Sequence, residues 1–194
     1  MKFISGTIIF AALLLTGCNS KIEAFIDAES LDQRGGWVTD QQAMDILGSP
    51  YLLAHGAGVC VEDAKGTVQL PEKGKWHAWV RSYNWTSPWS DKEGPGAFQL
   101  IIDGKALKET CGTRGNEWEW QYAGSFTSKD KEIEVSLHDL TGLDGRCDAV
   151  CFTTGTLPER PPRPPVGAAR TVRSDLTVVG GGVAGVCTAI SAAR

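Results

Sequence analysis

The sequence has 194 residues, which is enough for one ordinary domain with flanking segments but not for two full domains. Hydrophobic residues make up 42% and charged residues 22%, a composition typical of a globular protein and not of a disordered one. The formal net charge is −4 with no long run of like charge, which argues against an electrostatic grip on nucleic acid.

The N-terminus predicts a secretory signal peptide over residues 1–17. Lys2 supplies a positive charge, and the apolar segment 3–15 is shorter than the roughly 20 residues of a membrane-spanning helix. The segment ends in Leu-Thr-Gly-Cys, which resembles the bacterial lipobox and predicts lipid attachment at Cys18. The alternative is an ordinary signal peptide that contains a cysteine. Lipidation would anchor the protein to a membrane of the bacterial cell envelope, at the outer membrane or the cell surface.

Residues 22–154 alternate short apolar runs with turn residues, which predicts an antiparallel β domain. Asp103-Gly104 indicates a two-residue hairpin turn. Only residues 41–47 look helical, and the Gly-Ser-Pro that follows would end such a helix. This spacing favours a mainly β jelly-roll sandwich. The predicted strands are 22–27, 58–61, 67–70, 75–85, 97–103, 105–109, 117–122, 132–138 and 148–153.

An exported location permits disulfides. Cys147 and Cys151 have the same parity on a predicted strand and stand about 13 Å apart, too far to bridge each other. Either could pair with Cys60 or Cys111, or these cysteines are small buried hydrophobic residues. No spacing indicates a zinc site.

The predicted strand 75–85 carries a candidate binding face. Even positions from Trp76 to Ser82 suit the interior, so the odd positions face the other way. Aromatic rings stack on sugar CH groups and an arginine donates to hydroxyls. The alternative is that the rings form a core or pack on another domain, and a register slip of one residue would exchange the faces. The candidate residues are Trp79, Arg81, Tyr83 and Trp85, with Trp37, Trp89, Trp118 and Trp120 as further platforms.

Three segments carry a resemblance to a known domain family: IDAESLDQRGGWVTDQQAMDILGSPYLLAHG from Ile26, WHAWVRSYNW from Trp76 and HDLTGLDGRCDAVCFTT from His138. Together they resemble the carbohydrate-binding-like sandwich of golvesin-type and xanthan-lyase-type proteins, which also precedes the flavin domain in a group of bacterial FAD-dependent oxidoreductases. The resemblance covers most of residues 23–154. It implies a galactose-binding-like fold, with sugar binding as a family association.

Glu29 and Asp148 stand where some carbohydrate-binding sandwiches hold a structural calcium. Two carboxylates fall short of the roughly six to eight oxygens that calcium takes, so we predict no metal site.

The Pro-rich segment 157–166 predicts an extended linker. After it, residues 175–179 predict a short parallel strand and residues 186–194 a helix. The stretch between them satisfies G-x-G-x-x-G: its first glycine makes a tight turn, its third admits a pyrophosphate, and its last lets the helix pack closely. The Gly-Gly-Gly-x-Ala-Gly form resembles FAD-binding oxidoreductases; the alternative is a glycine-rich tail. The predicted cofactor-binding residues are Gly180, Gly181, Gly182, Val183, Ala184 and Gly185.

The predicted organisation is a signal peptide (1–17), a sandwich (18–155), a linker (156–173) and the start of a truncated Rossmann-type FAD domain (174–194). We expect the N-terminal part of a membrane-anchored FAD-dependent oxidoreductase with an accessory sandwich. The alternative is a complete non-enzymatic surface lipoprotein that binds polysaccharide, and an accessory part of a xanthan lyase is less favoured. The acid that would bind the FAD ribose falls near position 200, beyond Arg194, so we expect no flavin binding by these residues alone. We identify no catalytic residue.

Overall fold

The computed structural model describes residues 23–154, 173–180 and 182–193. The chain divides into two compact units, Met1–Arg163 and Pro164–Arg194. The predicted signal peptide, Cys18, the predicted linker up to residue 172 and Gly181 lie outside the described residues. No helix in the described ranges is long and apolar enough to cross a membrane.

The described part of the first unit is built from β-strands, with a 3₁₀ turn at Ala28–Ser30 and one short helix, α1 (Met44–Leu47). The strands are β1 (Glu23–Asp27), β2 (Val38–Asp40), β3 (Tyr51–His55), β4 (Ala64–Gln69), β5 (Gly74–Ser82), β6 (Phe98–Ile102), β7 (Lys105–Cys111), β8 (Glu119–Ser128), β9 (Glu132–Asp139) and β10 (Leu143–Thr153).

These strands form two antiparallel sheets. The six-stranded sheet has the order β2-β3-β10-β5-β8, with β1 also paired to β10, and the four-stranded sheet has the order β4-β9-β6-β7. Strand β10 pairs with β5 on one edge. On its other edge the first half pairs with β3 and the second half with β1. The prediction of a mainly β antiparallel sandwich is therefore confirmed.

The core lies between the two sheets. It consists of the side chains at every second position along the strands, which point inward. Trp76, Ala78 and Val80 of β5 are fully buried there, as the even-numbered parity of the sequence predicts. Phe98 and Leu100 of β6 meet them from the four-stranded sheet. Each large apolar side chain buried in this way contributes about 1.5–3 kcal/mol.

Two local signals of the sequence are also confirmed. Asp103 and Gly104 have φ angles of 48° and 73°, and Ile102 pairs with Lys105 across the turn, as a two-residue hairpin requires. Helix α1 ends at Gly48, whose φ of 84° suits a residue without a side chain.

The predicted strand at 58–61 is wrong, and the sequence prediction missed β2 and β3. Residues 56–59 form a turn in which Val59 donates to the Gly56 carbonyl, and Val59 is 72% exposed. Strand β3 buries Tyr51, Leu52 and Ala54, so its residues show no alternation of apolar and polar side chains.

The prediction that Cys147 and Cys151 point to the same face of one strand is also wrong. A β-bulge lies between Cys147 and Ala149, and a bulge shifts the alternation by one residue. Cys147 therefore points into the core, whereas Cys151 packs with Trp79 on the opposite face of the sheet. The cysteines of the described residues are all free thiols.

In the second unit the described residues contain helix α2 (Val183–Ala192) and no strand. The predicted strand at 175–179 is not formed, because a parallel strand needs a neighbouring strand for its hydrogen bonds. Helix α2 begins three residues earlier than predicted, since Gly182 is already the extended residue that precedes it.

Candidate functional site

A cleft of about 960 Å³ lies at the end of β5. Its walls come from α1, from the loop after β5, from the start of β8 and from β10. The aromatic lining residues are Tyr51, Tyr83, Trp85, Trp89, Trp118 and Trp120. The main polar lining residues are Gln42, Asp45, Arg81, Asn116, Glu117 and Arg146.

The structure places three of the four predicted face residues in this cleft. Arg81 points outward from β5, while Tyr83 and Trp85 follow in the loop because the strand ends at Ser82 instead of at residue 85. Trp79 does not line the cleft. Its ring is 8% exposed and packs on Tyr122 at a centroid distance of 5.1 Å.

Of the four tryptophans predicted as further platforms, three line the cleft and one does not. Trp89, Trp118 and Trp120 line the cleft. Trp37 is wrongly predicted as a platform, because it is 2% exposed in the core and packs edge-on against Phe98 at 5.5 Å.

The cleft rings differ in how much surface they leave for a ligand. Tyr83 stacks on Trp118 at 5.7 Å. The Arg146 guanidinium lies over Trp85 at 5.5 Å from its ring, and the Trp85 indole N–H donates to the Leu143 carbonyl. These contacts hold the rings of Tyr83 and Trp85 in place. Trp89 is 78% exposed and is the ring with the most surface available for stacking.

A buried asparagine holds the loop that carries Trp89. Asn84 is 3% exposed, and its side-chain oxygen accepts hydrogen bonds from the Thr86 amide (3.1 Å) and hydroxyl (2.8 Å). The Trp89 amide in turn donates to the Thr86 carbonyl at 3.0 Å. Gly94 passes so close that a Cβ there would stand 1.9 Å from the Asn84 oxygen. These hydrogen bonds give the loop that carries Trp89 a defined conformation.

An ion pair lies beneath the cleft. Arg81 Nη1 donates to Asp148 Oδ2 at 3.1 Å, and the two side chains are only 5% and 3% exposed. Ser49 Oγ donates to the other carboxylate oxygen at 3.4 Å. Burial raises the pKa of Asp148 to about 6, and the Arg81 charge opposes that shift only in part.

Glu29 and Asp148, the two acids considered for calcium, do not fit a calcium site. Both oxygens of Asp148 already accept hydrogen bonds, and Arg81 supplies a positive charge beside it. Within the described ranges no three acidic, histidine or cysteine side chains form a metal-binding group. Burial raises the pKa of Glu29 to about 7, and one of its oxygens has no hydrogen-bond partner.

The glycine-rich stretch belongs to the second unit. Gly180 has a φ of 114°, and a Cβ on Gly185 would stand 2.1 Å from the Gly180 carbonyl oxygen. Val183 and Ala184 lie in the first turn of α2, and a Cβ on Gly182 would meet open space. Gly181 lies outside the described residues.

Arg146 is one of the cleft residues that the sequence analysis did not predict, together with Tyr51 and the polar residues of the α1 and β8 walls. It lies in the segment RCDAV in the last strand of the sandwich, and no local pattern connects it to Trp85. The contact arises because β10 pairs with both β3 and β5, which is a property of the sheet order.

Two antiparallel sheets with an aromatic-lined cleft at one end form a β-sandwich, a fold that is also found in carbohydrate-binding modules. The solved structures that share this fold include three with a TM-score above 0.5. They are a family 35 carbohydrate-binding module from Clostridium thermocellum (15% identity, TM-score 0.52), a Paenibacillus xanthan lyase (14%, 0.52) and a Podospora anserina β-1,4-mannanase with a family 35 module (13%, 0.53). The matches cover 67%, 69% and 74% of this chain.

The matched region spans 96% of the Clostridium module but only 13% of the xanthan lyase and 29% of the mannanase. At these identities the likeness shows the fold alone. No protein-family model matches the sequence, and no curated protein matches it either.

Proposed function

We propose that the sandwich binds polysaccharide in the cleft at the end of β5. The observation that carries this proposal is Trp89, a largely exposed indole beside a cleft that mixes aromatic rings with hydrogen-bonding groups. Sugars offer CH faces to stack on rings and hydroxyls that need polar partners. The shared fold with a carbohydrate-binding module supports the same reading.

The chemistry of the lining fits a hydroxyl-rich chain. Arg81 and Arg146 are donors, Asp45 and Glu117 are acceptors, and charges of both signs are present. The volume of about 960 Å³ lies at the upper end of the range for ligand pockets, roughly 300–1,000 Å³. A cleft of this size has room for a ligand larger than one sugar ring.

Substitution of Trp89 tests the proposal. We expect Trp89→Ala to weaken polysaccharide binding about tenfold or more, because the exposed stacking surface is lost. Affinity electrophoresis of the full chain in gels containing xanthan or β-1,4-mannan measures the change. These are the polymers that two of the structural neighbours are named for.

The matched control is Val59→Ala, which removes an exposed apolar side chain outside the cleft. It should migrate like the wild type in every gel. Equal retardation of Trp89→Ala and wild type would exclude this cleft as the binding site.

We also propose that lipid on Cys18 holds the mature chain, from residue 18 onward, at a membrane of the cell envelope. The Leu-Thr-Gly-Cys order at the end of a short apolar segment supports this. Fatty-acid labelling of expressing cells should mark the wild type and leave Cys18→Ser unmarked. Labelling of both proteins would place the lipid elsewhere.

A second candidate function concerns the C-terminal unit: the first turn of an FAD-binding domain in a longer oxidoreductase. The positive φ of Gly180 and the close approach of Gly185 to its carbonyl favour it, since these are two of the roles that the motif assigns to its glycines. The coding sequence downstream of Arg194 is the test. An in-frame continuation with an acid near position 200 is expected, and an immediate stop codon would count against it.

A further inference from the structure

Asp148 lies behind the cleft and not in its lining, yet it contacts two of the cleft walls. Its carboxylate accepts from Arg81, which lines the floor. It also accepts from Ser49, which directly follows the Gly48 that ends α1. Helix α1 contributes Asp45 and Ile46 to the wall. One buried carboxylate therefore joins the floor of the cleft to its helical wall.

The position of Arg81 depends on this carboxylate. A guanidinium carries five N–H donors, and its buried charge is costly unless it is paired. Asp148 is the anion in ion-pair contact with Arg81 within the described ranges. When Asp148 is neutral, the buried Arg81 charge has lost its anion, and turning toward water lowers that cost. The guanidinium then moves away from the place where it can donate to a ligand.

We propose that Asp148 is a positioning residue for the cleft, and that the cleft binds polysaccharide well only when the Asp148 carboxylate is ionised. This inference rests on the proposed polysaccharide binding. It adds a dependence on pH that the aromatic rings by themselves would not produce.

The charged groups near Asp148 define the pH range. Arg81 faces it from β5, Asp27 from the end of β1 and Glu29 from the 3₁₀ turn. Burial outweighs the attraction of Arg81, so the pKa of Asp148 is about 6. Below that pH the carboxyl is neutral and Arg81 loses its anion. Affinity therefore increases as the pH rises through about 6.

The experiment compares Asp148→Asn with Glu29→Gln in the full chain. Calorimetric titration uses xanthan or β-1,4-mannan, whichever retards the wild type, between pH 5 and pH 8. We expect wild-type affinity to rise about tenfold over this range, in keeping with the strength of a charged hydrogen bond. Asp148→Asn should bind about tenfold more weakly at pH 8 and show no rise. Glu29→Gln is the matched control and should retain the wild-type rise.

The outcomes separate this inference from the proposed function. A wild type that binds neither polymer at any pH would refute the binding cleft itself. A wild type that binds with constant affinity, with unchanged circular dichroism from pH 5 to 8, would overturn the role of Asp148 alone. So would a folded Asp148→Asn that keeps the rise. If Asp148→Asn does not fold, the wild type and Glu29→Gln are compared instead, because a rise that Glu29→Gln loses would assign the pH dependence to Glu29 and overturn the role of Asp148.

Discussion

At the scale of single residues, three tryptophans of the sandwich differ in their exposure and in what they contact. Trp76 is a core residue, Trp79 is packed on the outer face of the sheet, and Trp89 is exposed at the cleft. Alternation in the sequence predicted the inward position of Trp76. It could not rank the outward rings by exposure, because that depends on Tyr122 and Arg146, which come from other strands.

Glu29 yields a prediction about stability. Its folded-state pKa of about 7 is above the ordinary value of 4.5, so the native state retains a proton that the unfolded chain has released. The free energy of unfolding should therefore fall as the pH rises from about 4.5 to about 7. Glu29→Gln should remove that loss and gain about 1 kcal/mol at pH 8, a modest figure because solvent screens part of the group.

Urea unfolding at pH 5 and pH 8 measures this effect. The exposed Glu134→Gln provides a comparison on the opposite sheet, and its stability should follow the wild type. Equal stabilities of Glu29→Gln and wild type at pH 8 would contradict the expected cost of ionising Glu29.

At the scale of elements, the loop after β5 depends on one close contact. Gly94 has an ordinary backbone conformation, so its lack of a side chain is required by the nearness of Asn84 and not by its φ angle. A single sequence shows a glycine there but cannot show what it meets, since the two residues approach each other only when the loop closes.

A double-mutant cycle examines this contact. Gly94→Ala should destabilise the wild type by about 1–3 kcal/mol, the usual cost of overpacking. The same substitution should cost much less in an Asn84→Ala background, where the clashing oxygen is absent. Denaturant unfolding of the four proteins gives the coupling free energy. Purely additive effects would mean that the loop accommodates a methyl group without moving Asn84.

At the scale of the whole molecule, the sequence predicted the fold class but not the strand order. Hairpins such as Ile102–Lys105 are local and leave a signature in adjacent residues. The pairing of β10 with β1, β3 and β5 joins distant parts of the chain, and nothing in those segments specifies their partners. The lining of the cleft is hard to predict from the sequence for the same reason, because its walls come from several of these elements.

The second unit supports a prediction about flavin. Residues 175–179 form no strand in the structure, and α2 buries none of its described residues. FAD binding at this motif also needs a second strand, whose acid hydrogen-bonds the ribose. We therefore expect the purified 194-residue chain to lack the absorption bands of flavin. A yellow preparation with one flavin per chain would contradict this.

The pairing of β10 also has a consequence for folding. Glu23 at the start of β1 pairs with Thr153 at the end of β10, so the sheet joins the first and last strands of the sandwich. Contacts this distant in sequence make folding slow, because the chain loses much of its freedom before the contacts form. β1, β3 and β5 lack their common partner until the chain as far as residue 153 is available to fold. Arg146 and Asp148 lie on that last strand, so the cleft is completed only when the fold is.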